Sequence, residues 1–262
     1  MRSCGRSEQR RNMIKLKNSA QIEIMKDAGR ITAEAILAAA EQIRPGVSTK
    51  HLDTVIRTYI GKSGGKPSFL GYGGFPASAC ISINDEVIHG IPSETRILQE
   101  GDIVKLDVGV AYRGYQGDSA RTFAVGTVSP EARKLIDVTE QCFFLALKEV
   151  RGGNRIGDIG HAVQSYAEAN GYGVVREYVG HGIGEEMHEE PEVPNFGHAG
   201  HGVRLFPGMA IAIEPMINMG TWQVKRMGDG WTVKTADGSL SAHYENTVIL
   251  TEEGPVVTTL VS

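Results

Sequence analysis

The sequence predicts an α+β protein made of two related halves, about residues 19–126 and 129–250. Two observations carry that expectation. A pattern of helix, helix and strands occurs twice in the same order. The two runs also lie over each other at one constant offset of 107 residues.

Ser19 can cap a first helix, whose apolar positions Ile22, Met25, Ile31, Ala35 and Ile43 stop at Arg44-Pro45-Gly46. Ser48 can cap a second, with Leu52, Val55, Ile56 and Tyr59, ending in the glycines Gly61 to Gly65. Strands are expected at Ala79–Ile83, Ile103–Tyr112 and around Gln116–Val125. Ser129-Pro130-Glu131 opens a third helix, because a proline at the first helical position has no amide to satisfy. That helix ends at Gly152-Gly153. Asp158 can cap a fourth, ending near Gly171, and strands occupy much of the remainder.

At the offset of 107, Arg44 meets Arg151, Gly46 meets Gly153, Leu52 meets Ile159 and Tyr59 meets Tyr166. The register persists to Gly101 and Gly208, so GDIVKLD lies over GMAIAIE. Asp107 and Glu214 thereby become equivalent acids, each on the second strand of its half.

Composition narrows the class. A chain of 262 residues with net charge −4 and 41% apolar content reads as a soluble globular protein, without the charge excess of a nucleic-acid binder. Cys4, Cys80 and Cys142 are far apart, in no CxxC pair, and fit a reducing cytoplasm better than a disulfide scaffold. No apolar run approaches the roughly 20 residues needed to span a bilayer. Residues 1–13 form a basic arm with no apolar stretch of the signal-peptide kind, a candidate contact for an RNA-rich partner. Residues 14–262 are expected to form one domain.

Acids interrupt the apolar strands. Asp107 sits in IVKLDVGVAY and Asp118 in YQGDSART, either side of a turn at Arg113-Gly114. A two-residue loop pairing Tyr112 with Tyr115 puts Asp107 opposite Ala120, with Asp118 on the same face. A loop at Tyr112-Arg113 puts the two aspartates directly opposite. Either way the carboxylates repel unless a cation lies between them. Glu214 in AIAIEPMI and Glu245 in AHYENTVIL repeat the pattern, and buried charges are paired or coordinate metals. The stretch EYVGHGIGEEMHEEPEVP adds His181 and His188 among glycines and glutamates, with no helical or strand period. It reads as a glycine-jointed loop, and its histidines lack the one-turn spacing of a zinc-binding helix.

The set Asp107, Asp118, His181, Glu214 and Glu245, with GHGIG before HEEP and IEP after it, resembles the type I methionine aminopeptidases. The resemblance runs from about Ile14 and includes SINDEVIHGIP, GDSARTF, DGWTVKT and SLSAHYENTVIL. It implies the pseudo-twofold pita-bread fold, an antiparallel sheet covered by helices. It also implies removal of the initiator methionine from nascent polypeptides with a small second residue, by a monomer in the cytoplasm.

In the family's arrangement Asp118 and Glu245 bridge two divalent ions, drawn from Co, Mn, Fe or Zn. Asp107 completes one ion, and His181 with Glu214 the other, Glu214 also moving the proton. His188 acts on the substrate carbonyl and His89 on the amide nitrogen. The methionine pocket maps onto Tyr72, Phe75, Cys80, Met187 and Trp231, with Met187 where the family often has phenylalanine. Glu185, Glu186, Glu189 and Glu190 read as solvated charge, His51 and His161 as surface residues, and the pair His198 and His201 as solvated. His243 is at most a support behind Glu245. Cys80 has no base pattern for a nucleophile, and GKSGGKPS fails the P-loop spacing. The rival readings are an X-Pro aminopeptidase or prolidase of the same fold, and a non-catalytic binding module.

Overall fold

The computed structural model describes residues 13–260. Helix α1 (Ser19–Ala40) is capped by Asn18, not Ser19: Asn18 Oδ1 accepts from the Gln21 amide, and Gln21 Oε1 accepts from the Asn18 amide. That reciprocal box satisfies two end donors at once. Helix α2 (Thr49–Lys62) starts at Ser48, whose hydroxyl accepts from His51 N at 3.1 Å. Helix α3 (Pro130–Glu149) has Ser129 as its cap and Pro130 first. Helix α4 (Ile156–Ala169) has Arg155 as its cap, three residues before the expected Asp158. Asp158 lies in its first turn and reaches back to Arg155 N at 2.7 Å.

The strands are β1 (Lys66–Pro67), β2 (Cys80–Ile83), β3 (Glu86–Ile88), β4 (Ile103–Tyr112) and β5 (Tyr115–Ala124), then β6 (Gly173–Val174), β7 (Gly180–Gly182) and β8 (Glu189–Val193). The last seven are β9 (Ala210–Ile213), β10 (Met216–Asn218), β11 (Val224–Arg226), β12 (Val233–Thr235), β13 (Ser241–His243), β14 (Glu245–Thr251) and β15 (Gly254–Val257). The main sheet runs β1-β4-β5-β14-β9-β7-β8, with β2 also on β4 and β15 on β14, and its pairings are antiparallel. Of the two open hairpin registers, the chain takes the one pairing Tyr112 with Tyr115.

Two apolar cores hold helices to this sheet. One joins Ile31, Ile36, Leu52 and Ile56 of α1 and α2 to Val104, Leu106, Val108 and Val110 of β4. The other joins Leu135, Phe143, Ile159 and Val163 of α3 and α4 to Ile211, Ile213, Val248 and Leu250 of β9 and β14. Alternation along β4 then turns Lys105, Asp107 and Gly109 to the opposite face.

The stretch read as a loop around His181 is instead a strand, β7, held between β8 and β9. Its glycines are there for close approach: a Cβ on Gly180 would lie 2.3 Å from Ala212 O, and one on Gly182 would lie 2.1 Å from Glu190 O. Of the basic arm expected over residues 1–13, only Met13 lies among the described residues.

Candidate metal centre and active site

Sheet register brings the predicted donors together in two rows on one face. Cys80 pairs with Asp107, Asp107 with Ala120, and Ala120 with Glu245. Asn246 pairs with Ile213, so the same register carried one residue past β9 sets Glu214 beside Glu245. The second row, two residues along, pairs Gly109 with Asp118 and Thr247 with Ala212. Thr247 Oγ1 joins these pairs, donating to Asp118 O and accepting from Asp118 N, both at 2.9 Å. Continuing the pairing of Gly182 with Ile211 sets His181 beside Ala212. Rows two residues apart on one face are about 7 Å apart, and neighbouring strands about 4.8 Å. Five donors thus share one small patch, floored by Ala120 and Ala212.

Donor atoms of Asp118, His181 and Glu245 lie within 4.8 Å of one another. His181 Nε2 is 3.8 Å from Asp118 Oδ2 and 3.7 Å from Glu214 Oε1. Its Nδ1 is 2.8 Å from Gly182 O. A carbonyl only accepts, so Nδ1 carries the hydrogen and the Nε2 lone pair faces the carboxylates. Asp107 Oδ1 and Asp118 Oδ1 are buried without a hydrogen-bond partner among the described residues.

Burial pushes the Asp107 carboxyl up to about 7. It drives Asp118, Glu214 and Glu245 well above the carboxylate range, with repulsion among the acids adding to it. Burial likewise lowers His181 to about 3. Anions crowded without a cation and a bare imidazole lone pair are what a divalent ion requires of its ligands, and the mixed O/N donor set suits Mn, Fe, Co or Zn. The residues fit such a group.

Above the acids lies a cavity of about 170 Å³ whose walls include Phe69, Tyr72, Phe75, Cys80, His89, His188 and Trp231. Phe75 meets Trp231 edge-on at 5.1 Å, and His89 lies edge-on to Trp231 at 6.4 Å. His89 takes φ 59, a left-handed conformation that costs a non-glycine residue strain and recurs at functional sites. Burial lowers its pKa to about 4. The Cys80 thiol is pushed up by burial and the surrounding acids, which favours the thiol over the nucleophilic thiolate.

Three residues stand differently from their reading in sequence. Met187 is 3% exposed, packs with Met25, Tyr115, Ile183 and Ile249, and is absent from the cavity wall among the described residues. It backs Phe69 instead: a Cβ on Gly109 would meet Met187 Cε at 2.6 Å and Phe69 Cε1 at 2.8 Å. Phe69, the aromatic three residues before Tyr72, is the wall residue that sequence reasoning missed. Glu189 is not solvated: its carboxylate bonds Lys17 Nζ at 2.7 Å and the amides of Glu185 and Glu186. His243 is buried with Nε2 3.8 Å from Glu214 Oε2, so it stands behind Glu214. His51, His161, His198 and His201 are exposed.

A family model described as metallopeptidase family M24 matches residues 23–252. The chain is 55% identical over 248 residues to a methionine aminopeptidase of Clostridium acetobutylicum, spanning 95% of this chain and 99% of the relative. The solved methionine aminopeptidase of Thermotoga maritima superposes with a TM-score of 0.94 at 42% identity, over 95% of this chain and all of the other. A prolidase from Pyrococcus furiosus shares the fold, with a TM-score of 0.78 at 23% identity, and 68% of its length is covered. Fold, donor set and these likenesses agree: the chain belongs to metallopeptidase family M24, with its pita-bread fold, and within it to the methionine aminopeptidases.

Proposed function

We infer that this chain is a metal-dependent aminopeptidase removing the initiator methionine from polypeptides with a small second residue. The observation that carries the reading is the two-row patch of Asp107, Asp118, His181, Glu214 and Glu245 beneath an aromatic-walled cavity. Asp107, Asp118, His181, Glu214 and Glu245 would hold two divalent ions between them. Such ions would supply an activated water near neutral pH and polarisation of the scissile carbonyl. Phe69, Tyr72, Phe75, Cys80 and Trp231 take the apolar methionine side chain. His89 orients the scissile amide nitrogen, and His188 donates to the carbonyl oxygen as negative charge develops there. Glu214 accepts a proton from the attacking water and delivers it to the departing amine, so one water is consumed per methionine released. The site is complete in one chain, consistent with a monomer. Its substrate places it in the cytoplasm, with the basic residues before Ile14 as the candidate ribosome contact. Among the described residues no helix is long and apolar enough to cross a membrane.

The test is release of methionine from Met-Ala-Ser and Met-Leu-Ser after chelation and restoration of Co, Mn, Fe or Zn singly. Cleavage of the alanine peptide far ahead of the leucine one is expected, with none in the chelated sample. No methionine release with any of the four metals would sink the reading.

A further inference from the structure

Two histidine rings with different duties lie 4.3 Å apart, those of His181 and His188. What separates them is the partner at Nδ1. His181 Nδ1 meets the Gly182 carbonyl, which can only accept, so its Nε2 is left bare. His188 Nδ1 meets the Tyr72 hydroxyl at 2.8 Å, and a hydroxyl can donate. A neutral imidazole carries one hydrogen, so a donor at Nδ1 leaves that hydrogen on Nε2.

The tyrosine is held where it can do this. Tyr72 stands on a tight turn (Tyr72–Gly74) closed by Tyr72 N to Phe69 O at 3.0 Å and Gly71 N to Phe75 O at 2.9 Å. Gly71, Gly73 and Gly74 have φ of 83, 55 and 90, conformations glycine accepts without strain. Phe75, buried against Ala77, Cys80 and Trp231, pins the far end of the turn. Tyr72 is 47% exposed, so the turn and the His188 bond, more than burial, hold its side chain.

We propose that Tyr72 is a positioning residue whose hydroxyl donates to Nδ1 of His188 and fixes the tautomer that carries hydrogen on Nε2. Neighbouring rings therefore hold opposite tautomers, one a ligand and the other a donor to substrate. The inference rests on the reading that His188 donates to the scissile carbonyl.

Tyr72→Phe keeps the ring and removes the hydroxyl. It should lower kcat on Met-Ala-Ser about 3–10-fold, the worth of one hydrogen bond, with KM little changed. On a His188→Ala background the same change should cost nothing further, because the two act as one unit. NMR of the zinc-loaded enzyme with nitrogen-labelled histidine should show His188 protonated at Nε2 in the wild type, and a mixture of tautomers in Tyr72→Phe. Protonation of wild-type His188 at Nδ1, or an undiminished Tyr72→Phe loss on the His188→Ala background, would overturn the proposal. Full kcat in His188→Ala would instead remove the functional reading beneath it, as would a wild type that releases no methionine.

Discussion

The two halves share a scaffold and differ in their chemistry. Helices α2 and α4 each have 14 residues and begin 107 apart. The bridge Ser48 to Ile97 recurs as Arg155 to Arg204 at the same offset. Gly46 N donates to Leu98 O, and Gly153 N to Leu205 O. Beyond this frame the halves part. The first runs straight on into the ten-residue strands β4 and β5, with two short carboxylates inside the hairpin. In the second, β9 stops at Ile213, Glu214-Pro215 turns the chain out through β10 to β13, and β14 returns with Glu245. The second half thus supplies its donors from strand ends and from β7, as an imidazole and two longer carboxylates. The two halves share a frame, and their different strand ends make the two sides of the site chemically unlike.

The largest test removes one proposed metal ligand from each half. Asp118→Asn and Glu245→Ala should each lower bound metal and cut kcat by more than the roughly 10–100-fold that losing a residue behind a ligand costs. Normal metal content and activity in either variant would show the rows to be misassigned. The equivalent pair Asp107 and Glu214 then sharpens the comparison. Asp107→Asn and Glu214→Gln remove the same charge, so metal affinity should fall alike. At saturating metal, Glu214→Gln should remain slower by a further factor of about 10²–10⁴, for loss of proton transfer. Equal kcat values there would make Glu214 a ligand only.

A middle-sized effect concerns the strap between the chain start and β8. Lys17 and Glu189 pair at 2.7 Å with side chains only 5% and 6% exposed. Burial opposes the Glu189 charge, but the Lys17 hydrogen bond and charge, the Glu186 amide and Lys15 together hold its pKa below the usual value. Lys17→Met should cost about 3 kcal/mol in urea unfolding, the low end for a broken buried pair, since Lys15 stays 3.7 Å away. A carboxylate with a depressed folded pKa stabilises above its unfolded pKa, and that contribution is lost as pH falls through the folded value. The gap between wild type and variant should accordingly shrink on acidification. A gap independent of pH would mean that Lys17 matters for its packing alone.

Much of this was legible in the sequence, and the gaps have physical causes. Acids inside apolar strands are visible because burying a charge is costly, and either two-residue loop puts Asp107 and Asp118 on one face, but sequence does not choose between the two registers. The strand nature of β7 is hidden because three residues, two of them glycine, carry neither period nor β-propensity. Lys17–Glu189 spans 172 positions, so no local pattern announces it. Met187 reads as a pocket residue in sequence because it adjoins His188, whereas in the structure its side chain packs beside Ile183 and Ile249. Met187→Phe is therefore a change behind Phe69, reaching the substrate only through that ring.

The smallest effect tests whether the frame is still symmetric in energy. Gly46 and Gly153 occupy the same place at the start of α2 and α4, with φ of 90 and 94. A Cβ on either would meet nothing within 4 Å, so alanine there brings backbone strain without a clash. Holding a non-glycine residue in such a conformation costs on the order of 1–3 kcal/mol. Alanine also lowers the entropy of the unfolded chain, which stabilises the fold and offsets part of that cost, so the strain sets the sign. Gly46→Ala and Gly153→Ala should each destabilise by about 1 kcal/mol, equally within error, with kcat and metal content unchanged. Measured in urea, each shift is small but readable, and the two changes, set in different cores, should add. Unequal costs would show that divergence reached the frame as well as the strand ends. Altered activity in either would tie these turns to the site.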